Sequence, residues 1–254
     1  MNKQIVKKQF NSQASNFSNW SITKNNEYMR RYFDFVGISE NDEVLDVACG
    51  SGDFAVFMAK RARRLCGVDI SGRMIKIAEK QARINNLSNI DFVCRDVEHL
   101  PYESNSFTVV VCKSAFHHMK NYDNVFKEMI RCCRNSGRLS IQDIVTYDNQ
   151  KVNSFFERLE KKIDISHHSA LSQEACFQMF DQNNIEIIRS LGLEVELNFN
   201  EYLNHAYQSK ENKERIDDLL DYGLRDAEIS KFFLMKNNAL FFKRKVFLIL
   251  GQKS

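Results

Sequence analysis

Glu43-Val-Leu-Asp-Val-Ala-Cys-Gly-Ser-Gly-Asp53, followed by Cys66-Gly-Val-Asp-Ile70, decides how the rest of the sequence is read. Val44 to Val47 is a short apolar run of the kind buried in a parallel sheet, and it leads into a turn at Gly50 and Gly52. A helical pattern, Phe54, Ala55, Phe57 and Met58, follows at once. The second piece is another apolar strand that ends on Asp69. Strand, glycine turn, helix, strand and acid is the order in which an open parallel sheet holds an adenosine-containing cofactor. Glycine lets the backbone approach the ligand, and a carboxylate at the next strand end takes the ribose hydroxyls.

Charge separates the two cofactor classes that share this layout. A dinucleotide sets its pyrophosphate against the N-terminus of the first helix, where free N–H groups and the dipole favour anions. Here Asp46 and Asp53 flank the turn and would repel a pyrophosphate. They suit a cofactor with an ammonium group, a sulfonium and no phosphate, which describes S-adenosylmethionine. Gly50-x-Gly52-x-x-Ala55 also fits the looser dinucleotide fingerprint, so a nicotinamide-dependent reductase stays open on this stretch alone.

Working outward, residues 43 to about 145 alternate short apolar strands with amphipathic helices, the pattern of parallel βαβ units. Residues 1 to 40 form a helical cap: Phe10, Phe17 and Trp20 precede a helical stretch from Lys24 to Val36, with Tyr28, Tyr32 and Phe35 as a core-facing stripe. From 146 to 254 the period is mostly helical, over Val152–Ile163, Ser172–Phe180 and Lys210–Tyr222. Two late strands, Ile185–Leu191 and Leu240–Leu250, read as an antiparallel hairpin closing the sheet edge, with the helices between them as a lid over the cofactor. The single proline, Pro101, divides nothing, so the 254 residues read as one domain. The expected fold class is α/β, a Rossmann-like, mostly parallel seven-stranded sheet with helices on both faces.

Composition excludes several classes. With 43% apolar and 27% charged residues the chain is ordinary for a soluble globular protein. No apolar run approaches the ~20 residues that span a bilayer. The stretch from Met1 to Phe10 has no apolar core or cleavage site, so it does not read as a signal peptide. Seven cysteines without a secretion signal point to a reducing, cytoplasmic setting. No CxxC or Cys/His spacing supports a metal, and Cys132-Cys133 reads as packing. A net charge of +3 is too mild to argue for nucleic acid. The clusters Lys60-Arg61-Ala-Arg63-Arg64 and Arg131-Cys-Cys-Arg134 fall at helix ends on the edge away from the glycine turn, where cations compensate the dipole.

Asp46-Val-Ala-Cys-Gly-Ser-Gly52 resembles motif I of the class I S-adenosylmethionine-dependent methyltransferases, and Gly67-Val-Asp-Ile-Ser71 resembles the ribose-binding motif that follows it. Asp91-Phe-Val-Cys-Arg-Asp96, Leu100-Pro-Tyr through Cys112, and Ser136-Gly-Arg through Asp143 are similar to the later motifs, in the family's order. The likeness is greatest to the branch that includes ubiquinone- and menaquinone-biosynthesis methyltransferases, with a loose fit at Thr108. The resemblance implies that Asp46, Ala48 and the Gly50–Gly52 turn hold the methionine part, Asp69 the ribose and Asp96 the adenine amine. Ile70 and Val97 would sandwich the adenine, and Met74 and Lys113 complete the cofactor set.

Methyl transfer is an in-line displacement at carbon, and much of its acceleration comes from holding the acceptor near attack distance. An acceptor with a proton to lose also needs a base. His118 and His117, just beyond the fourth strand, are the candidates, His118 first. His167-His168 reads as a solvated loop, with a place in the substrate pocket as the lesser alternative, and Trp20 with Phe17 either caps the pocket or anchors the N-terminal segment. The expected activity is methylation of a small-molecule acceptor. The amino-base signature is missing after the fourth strand, where Lys113-Ser-Ala-Phe116 stands, which argues against an RNA (tRNA) methyltransferase, the alternative class.

Overall fold

The computed structural model describes residues 3–206 and 209–254. In chain order, helices α1 (Lys3–Ser18) and α2 (Asn26–Val36) lead into β1 (Glu43–Val47), α3 (Asp53–Ala59), β2 (Arg64–Asp69), α4 (Gly72–Ile84), β3 (Ile90–Cys94), β4 (Phe107–Lys113), α5 (Tyr122–Cys132) and β5 (Cys133–Ile144). Then come α6 (Gln150–Ile163), α7 (Gln173–Gln182), β6 (Ile185–Asn198), α8 (Phe199–His205), α9 (Lys210–Arg225), β7 (Phe233–Lys236) and β8 (Ala239–Lys253). The sheet runs in the order β3-β2-β1-β4-β5-β8-β6, with β7 added beside β8. β1 to β5 are parallel, whereas β8 is antiparallel to both β5 and β6.

Strand alternation sorts side chains onto two cores. Leu45, Val47, Val110, Cys112 and Ile141 pack under α5 and α7, against Phe126, Met129 and Phe180. Val44, Leu65, Val109, Val111 and Leu248 face α2 and α3, against Tyr32, Phe54 and Met58. The parallel strands are buried on both faces, which is why their sequences are apolar runs with little polar alternation. A third core joins α6, α8 and α9 to the start of β8 through Phe155, Phe156, Tyr202, Ile216 and Phe242.

The late hairpin is longer than its sequence expectation. β6 continues to Asn198, because Leu193, Val195 and Leu197 alternate with Glu194 and Glu196, which stand opposite Lys245 and Lys243 on β8. That alternation pairs opposite charges across the strands. Short elements also escaped the sequence: α8, and the β7–β8 hairpin, whose two-residue turn at Asn237 and Asn238 has φ of 48° and 59°. Positive φ at both turn residues is the geometry that matches strand twist, and Asn tolerates it.

The helices between the late strands do not roof the cofactor crevice. α9 packs on α6, and α8 borders a neighbouring chamber. The roof is α1, which lies across the carboxyl ends of the strands. Several side chains fasten it there: the Lys3 ammonium to Asp96 (2.6 Å) and Glu98 (2.9 Å), Asn11 to Ser71 (2.8 Å), and Gln13 to Asp164 (3.3 Å).

Four arginines of the basic clusters form ion pairs at the opposite edge. Arg64 pairs with Asp91, Arg131 with Glu128, and both Arg63 and Arg134 with Glu43. Cys132 and Cys133, which end α5 and open β5, are fully buried. Thr108, the loose position of the motif, accepts from the Glu43 amide and donates to Asp42, so it ties β4 to the start of β1. No described helix is long and apolar enough to cross a membrane.

Candidate active site

Strand order reverses between β1 and β4, and the crevice beyond their carboxyl ends is where such sheets place ligands. Both strands leave it through strained backbone: Ala48 has φ 59°, Gly50 55°, Gly52 78° and Ser114 54°. At Gly52 the glycine is demanded twice, since a Cβ there would stand 2.6 Å from that of Ala78. A Cβ at Gly50 would instead meet only the Phe17 ring of the roof, at 3.9 Å.

A cavity of about 180 Å³ fills this crevice. Asp46, Ala48, Gly50, Asp69, Ile70, Asp96, Val97, Lys113 and His118 line it, together with Phe10 and Phe17 from the α1 roof. Gly52 stands behind the turn. Met74 does not join them: its position on α4 turns it into the core, fully buried, and it lines no cavity, which corrects its place in the expected cofactor set. Cys49 and Asp53 line the cavity as well.

The carboxyls of this cavity are arranged for a cation and for hydroxyl donors. Asp46 is almost wholly buried, and among the described residues its carboxyl has no hydrogen-bond partner. Burial pushes its pKa up to about 7, against the pull of Lys113. Burial also raises Asp69, to about 6, although its two oxygens accept from the amides of Gly50 (2.9 Å) and Ser71 (2.8 Å). A carboxylate has about four acceptor directions, so roughly two remain for a diol. Asp96 accepts from the Glu98 amide and from Lys3, and those bonds hold its pKa below the usual range despite its partial burial. Lys113 lies over the Tyr28 ring at 5.1 Å; desolvation lowers its pKa, and Asp46, Asp143 and Asp53 resist that. A sulfonium or ammonium beside Asp46 and a ribose at Asp69 fit these donors and acceptors. A pyrophosphate does not.

A second chamber of about 110 Å³ adjoins the crevice and shares His118, Lys113, Ser114, Phe10 and Phe17 with its lining. Its walls are aromatic: Trp20 stacks on His205 at 4.8 Å, and Tyr202 lies 5.5 Å from Trp20. Trp20 therefore walls this chamber, and Phe17 borders both. Tyr28 also lines it, held by the Gln142 amide, so one member of the expected core stripe belongs to the site; Tyr32 stays in the core, stacked on Phe54.

Histidines cluster where the chambers meet. His117 Nδ1 is 2.6 Å from an Asp143 oxygen, and its backbone amide donates to the other (3.1 Å). The Asp143 charge raises the His117 pKa against desolvation, and His117 holds Asp143 low in return. Among the described residues the His117 Nε2 makes no hydrogen bond. His118 is the opposite case: burial and the His117 charge push it down to about 3. Ser166 gives its proton to Asp164 (2.5 Å), so His118 Nδ1, 3.1 Å away, is the donor in that contact. His167 is not in solvent. Its side chain is 1% exposed, it bonds Glu157 at 3.1 Å, and it lines the second chamber; only His168 is partly open. Nothing in the sequence marked Arg244, Glu160, Tyr202 and His205, which come from α6, α8 and β8 and complete the chamber.

The comparisons with known proteins agree with this geometry. Residues 45–141 match the family model described as a methyltransferase domain. The uncharacterized methyltransferase YcgJ of Bacillus subtilis is 26% identical over 142 residues, 56% of this chain and 56% of that protein. A demethylmenaquinone methyltransferase of Lactobacillus johnsonii is 29% identical over 125 residues, 48% of this chain and 51% of that one. The chain thus spans about half the length of the curated relatives it matches. The crystal structure of YcgJ superposes with a TM-score of 0.78 over 89% of this chain and 97% of that one, at 22% identity, a likeness of fold. The match over residues 45–141 and the methyltransferase relatives support a class I, S-adenosylmethionine-dependent methyltransferase. The relatives it resembles include menaquinone-type enzymes, as the motifs implied.

Proposed function

We propose that the protein is an S-adenosylmethionine-dependent methyltransferase of the cytoplasm that methylates a small molecule held in the second chamber. The observation that carries this reading is that the carboxyl-lined crevice and the aromatic chamber share His118, Lys113, Ser114, Phe10 and Phe17 in their linings. When bound, the cofactor supplies a methyl group on a good leaving group. Asp69 would take the ribose hydroxyls, Asp46 and the glycine turn the methionine part, Asp96 the adenine amine, and Ile70 and Val97 the faces of the adenine. Phe10 and Phe17 on the roof exclude water, which strengthens every polar contact beneath them.

The base in this reading is His117. Nδ1–H donates to Asp143, which fixes the tautomer and leaves a lone pair on Nε2 to accept a proton from the acceptor. His118 is held neutral and serves as the wall between methyl donor and acceptor. The sequence argument favoured His118; the Asp143 partnership transfers the proton-accepting role to its neighbour.

The test is incubation of the purified protein with methyl-labelled S-adenosylmethionine and cell extract split into small-molecule and macromolecular fractions. Label in the small-molecule fraction is expected. Label in RNA or protein instead would overturn the acceptor class and keep the cofactor.

A further inference from the structure

The net charge of +3 is unevenly spread. Helices α1 and α4 together carry seven cations and one acid, so the rest of the chain holds three more acids than cations. On α4 the exposed side is a single stripe: Arg73, Lys76, Lys80 and Arg83 recur at i, i+3, i+7 and i+10, about 15 Å of helix. Lys7 and Lys8 of α1 are exposed as well, and they line an open groove with Asn11, Arg73 and Lys76. Arg63, Arg64, Arg131 and Arg134 all have carboxylate partners, but none of these six cations forms an ion pair with a described residue. Arg73 donates only to the Asn11 carbonyl, at 3.2 Å. Glu79, the one acid of the two helices, is half-buried beside the stripe. Like charges at helical spacing repel one another, and a partner of opposite sign relieves that cost.

Two apolar side chains on the same surface separate the kinds of anionic partner. Ile84, 63% exposed, stands three helical turns after Arg73 and so falls within the cationic stripe. Ile5, 41% exposed, shares a stripe of α1 with Lys8 and Ser12. A nucleic-acid backbone gives such side chains nothing apolar to meet, and no described aromatic ring lines the groove for a base to stack on. A layer of lipid headgroups receives both kinds of residue, cations against its phosphates and aliphatic groups at the acyl boundary. We propose that the α1–α4 face docks the protein on an anionic lipid bilayer, with the six unpaired cations among the headgroups and Ile84 and Ile5 reaching the acyl boundary. The contact is peripheral and does not depend on which acceptor is methylated. It uses the outer side of α1, whereas Phe10 and Phe17 on the inner side line the crevice.

Co-sedimentation of the full chain with vesicles tests this, comparing phosphatidylcholine alone with phosphatidylcholine containing phosphatidylserine. Binding is expected to the anionic vesicles only, and it should weaken as salt rises. Each cation near such a surface contributes about fivefold, so Lys80→Gln with Arg83→Gln should weaken binding by about 25-fold. Both side chains are exposed, and the circular dichroism spectrum should not change. Arg225→Gln, which removes a charge from α9 instead, should leave binding within about twofold. Ile84→Ser keeps every charge and should still weaken anionic-vesicle binding severalfold. Equal binding to neutral and anionic vesicles, no binding to either, or an Arg225→Gln effect as large as that of the double variant would each overturn the proposal. Binding of a polyuridylate RNA, together with an Ile84→Ser variant that holds vesicles as well as the parent does, would assign the face to nucleic acid instead.

Discussion

Raising the pH of the cofactor-free protein from about 4 to 8 should cost it stability, and S-adenosylmethionine should restore much of the loss. The cause is Asp46, buried without a hydrogen bond and moved from 3.8 to about 7, with Asp69 beside it moved to about 6. A carboxyl whose pKa is raised on folding keeps its proton longer in the native state than in the unfolded chain. Native protein then binds more protons between the two values, so stability falls as pH climbs from the unfolded value to the folded one and stays low above it. At 1.36 kcal/mol per tenfold, the rise to about 7 corresponds to ~4 kcal/mol for Asp46 and the rise to about 6 to ~3 kcal/mol for Asp69. A ligand cation beside Asp46 would favour its charged form, so binding near pH 6.5 should expel roughly one proton. Calorimetric titration in buffers of different ionisation enthalpy reads that number directly. It should fall toward zero near pH 9, and Asp46→Asn should remove most of it. No proton release at pH 6.5, or undiminished release from the variant, would refute the assignment of Asp46 as the cation's partner.

Asp143→Asn should move the His117 imidazole titration, followed by NMR, to lower pH, and should lower kcat by roughly 10²–10⁴-fold if His117 is the base. Its stability loss should be fullest between about pH 4 and 6.5: the lowered Asp143 contributes above its unfolded value, and the raised His117 contributes below its own. Asp69→Ala should weaken S-adenosylmethionine binding by at least about 100-fold, two hydrogen bonds to a charged group at about 1.5 kcal/mol or more each, with an unchanged circular dichroism spectrum. Lys3→Ala frees the carboxyl of Asp96, so cofactor binding by calorimetry should tighten, by less than about fivefold because exposed pairs are worth under about 1 kcal/mol. Gly52→Ala joins positive-φ strain to an overlap with Ala78 and should destabilise by about 3 kcal/mol in denaturant melts.

The cofactor half of the site was legible because its chemistry is local. Strand, glycine turn and strand-end acid fall within residues 43–70, and the parallel strands carry the unbroken apolar runs that burial on both faces requires. The second chamber was not legible, for the opposite reason. Arg244, Glu160, Tyr202 and His205 come together only through the packing of β8, α6 and α8, and each in its own segment looks like an ordinary amphipathic residue. His167 was misplaced because a loop after a helix is usually solvated, whereas here Glu157 holds it inside. The Asp143 partner of His117 lies 26 residues away in the sequence, so nothing local set His117 apart from His118. The roof was mistaken because α1 has polar residues such as Gln9 and Gln13 on its buried side, which hides the amphipathic period.

That polar underside gives the roof two unequal ends. Near its start, α1 is held by Lys3, 43% exposed, on Asp96, and surface pairs of that kind contribute little. Toward its middle and end, Gln13 meets buried Asp164, Phe10 lies edge-on to His118 at 5.0 Å, and Phe17 meets Trp20 and His205. Releasing that end would cost buried Asp164 one of its hydrogen bonds and expose several rings, whereas releasing the start frees only the Lys3 ion pairs. The Asp96 end of the crevice therefore lies under the weakly fastened start of α1, and the second chamber lies beside its firmly packed end.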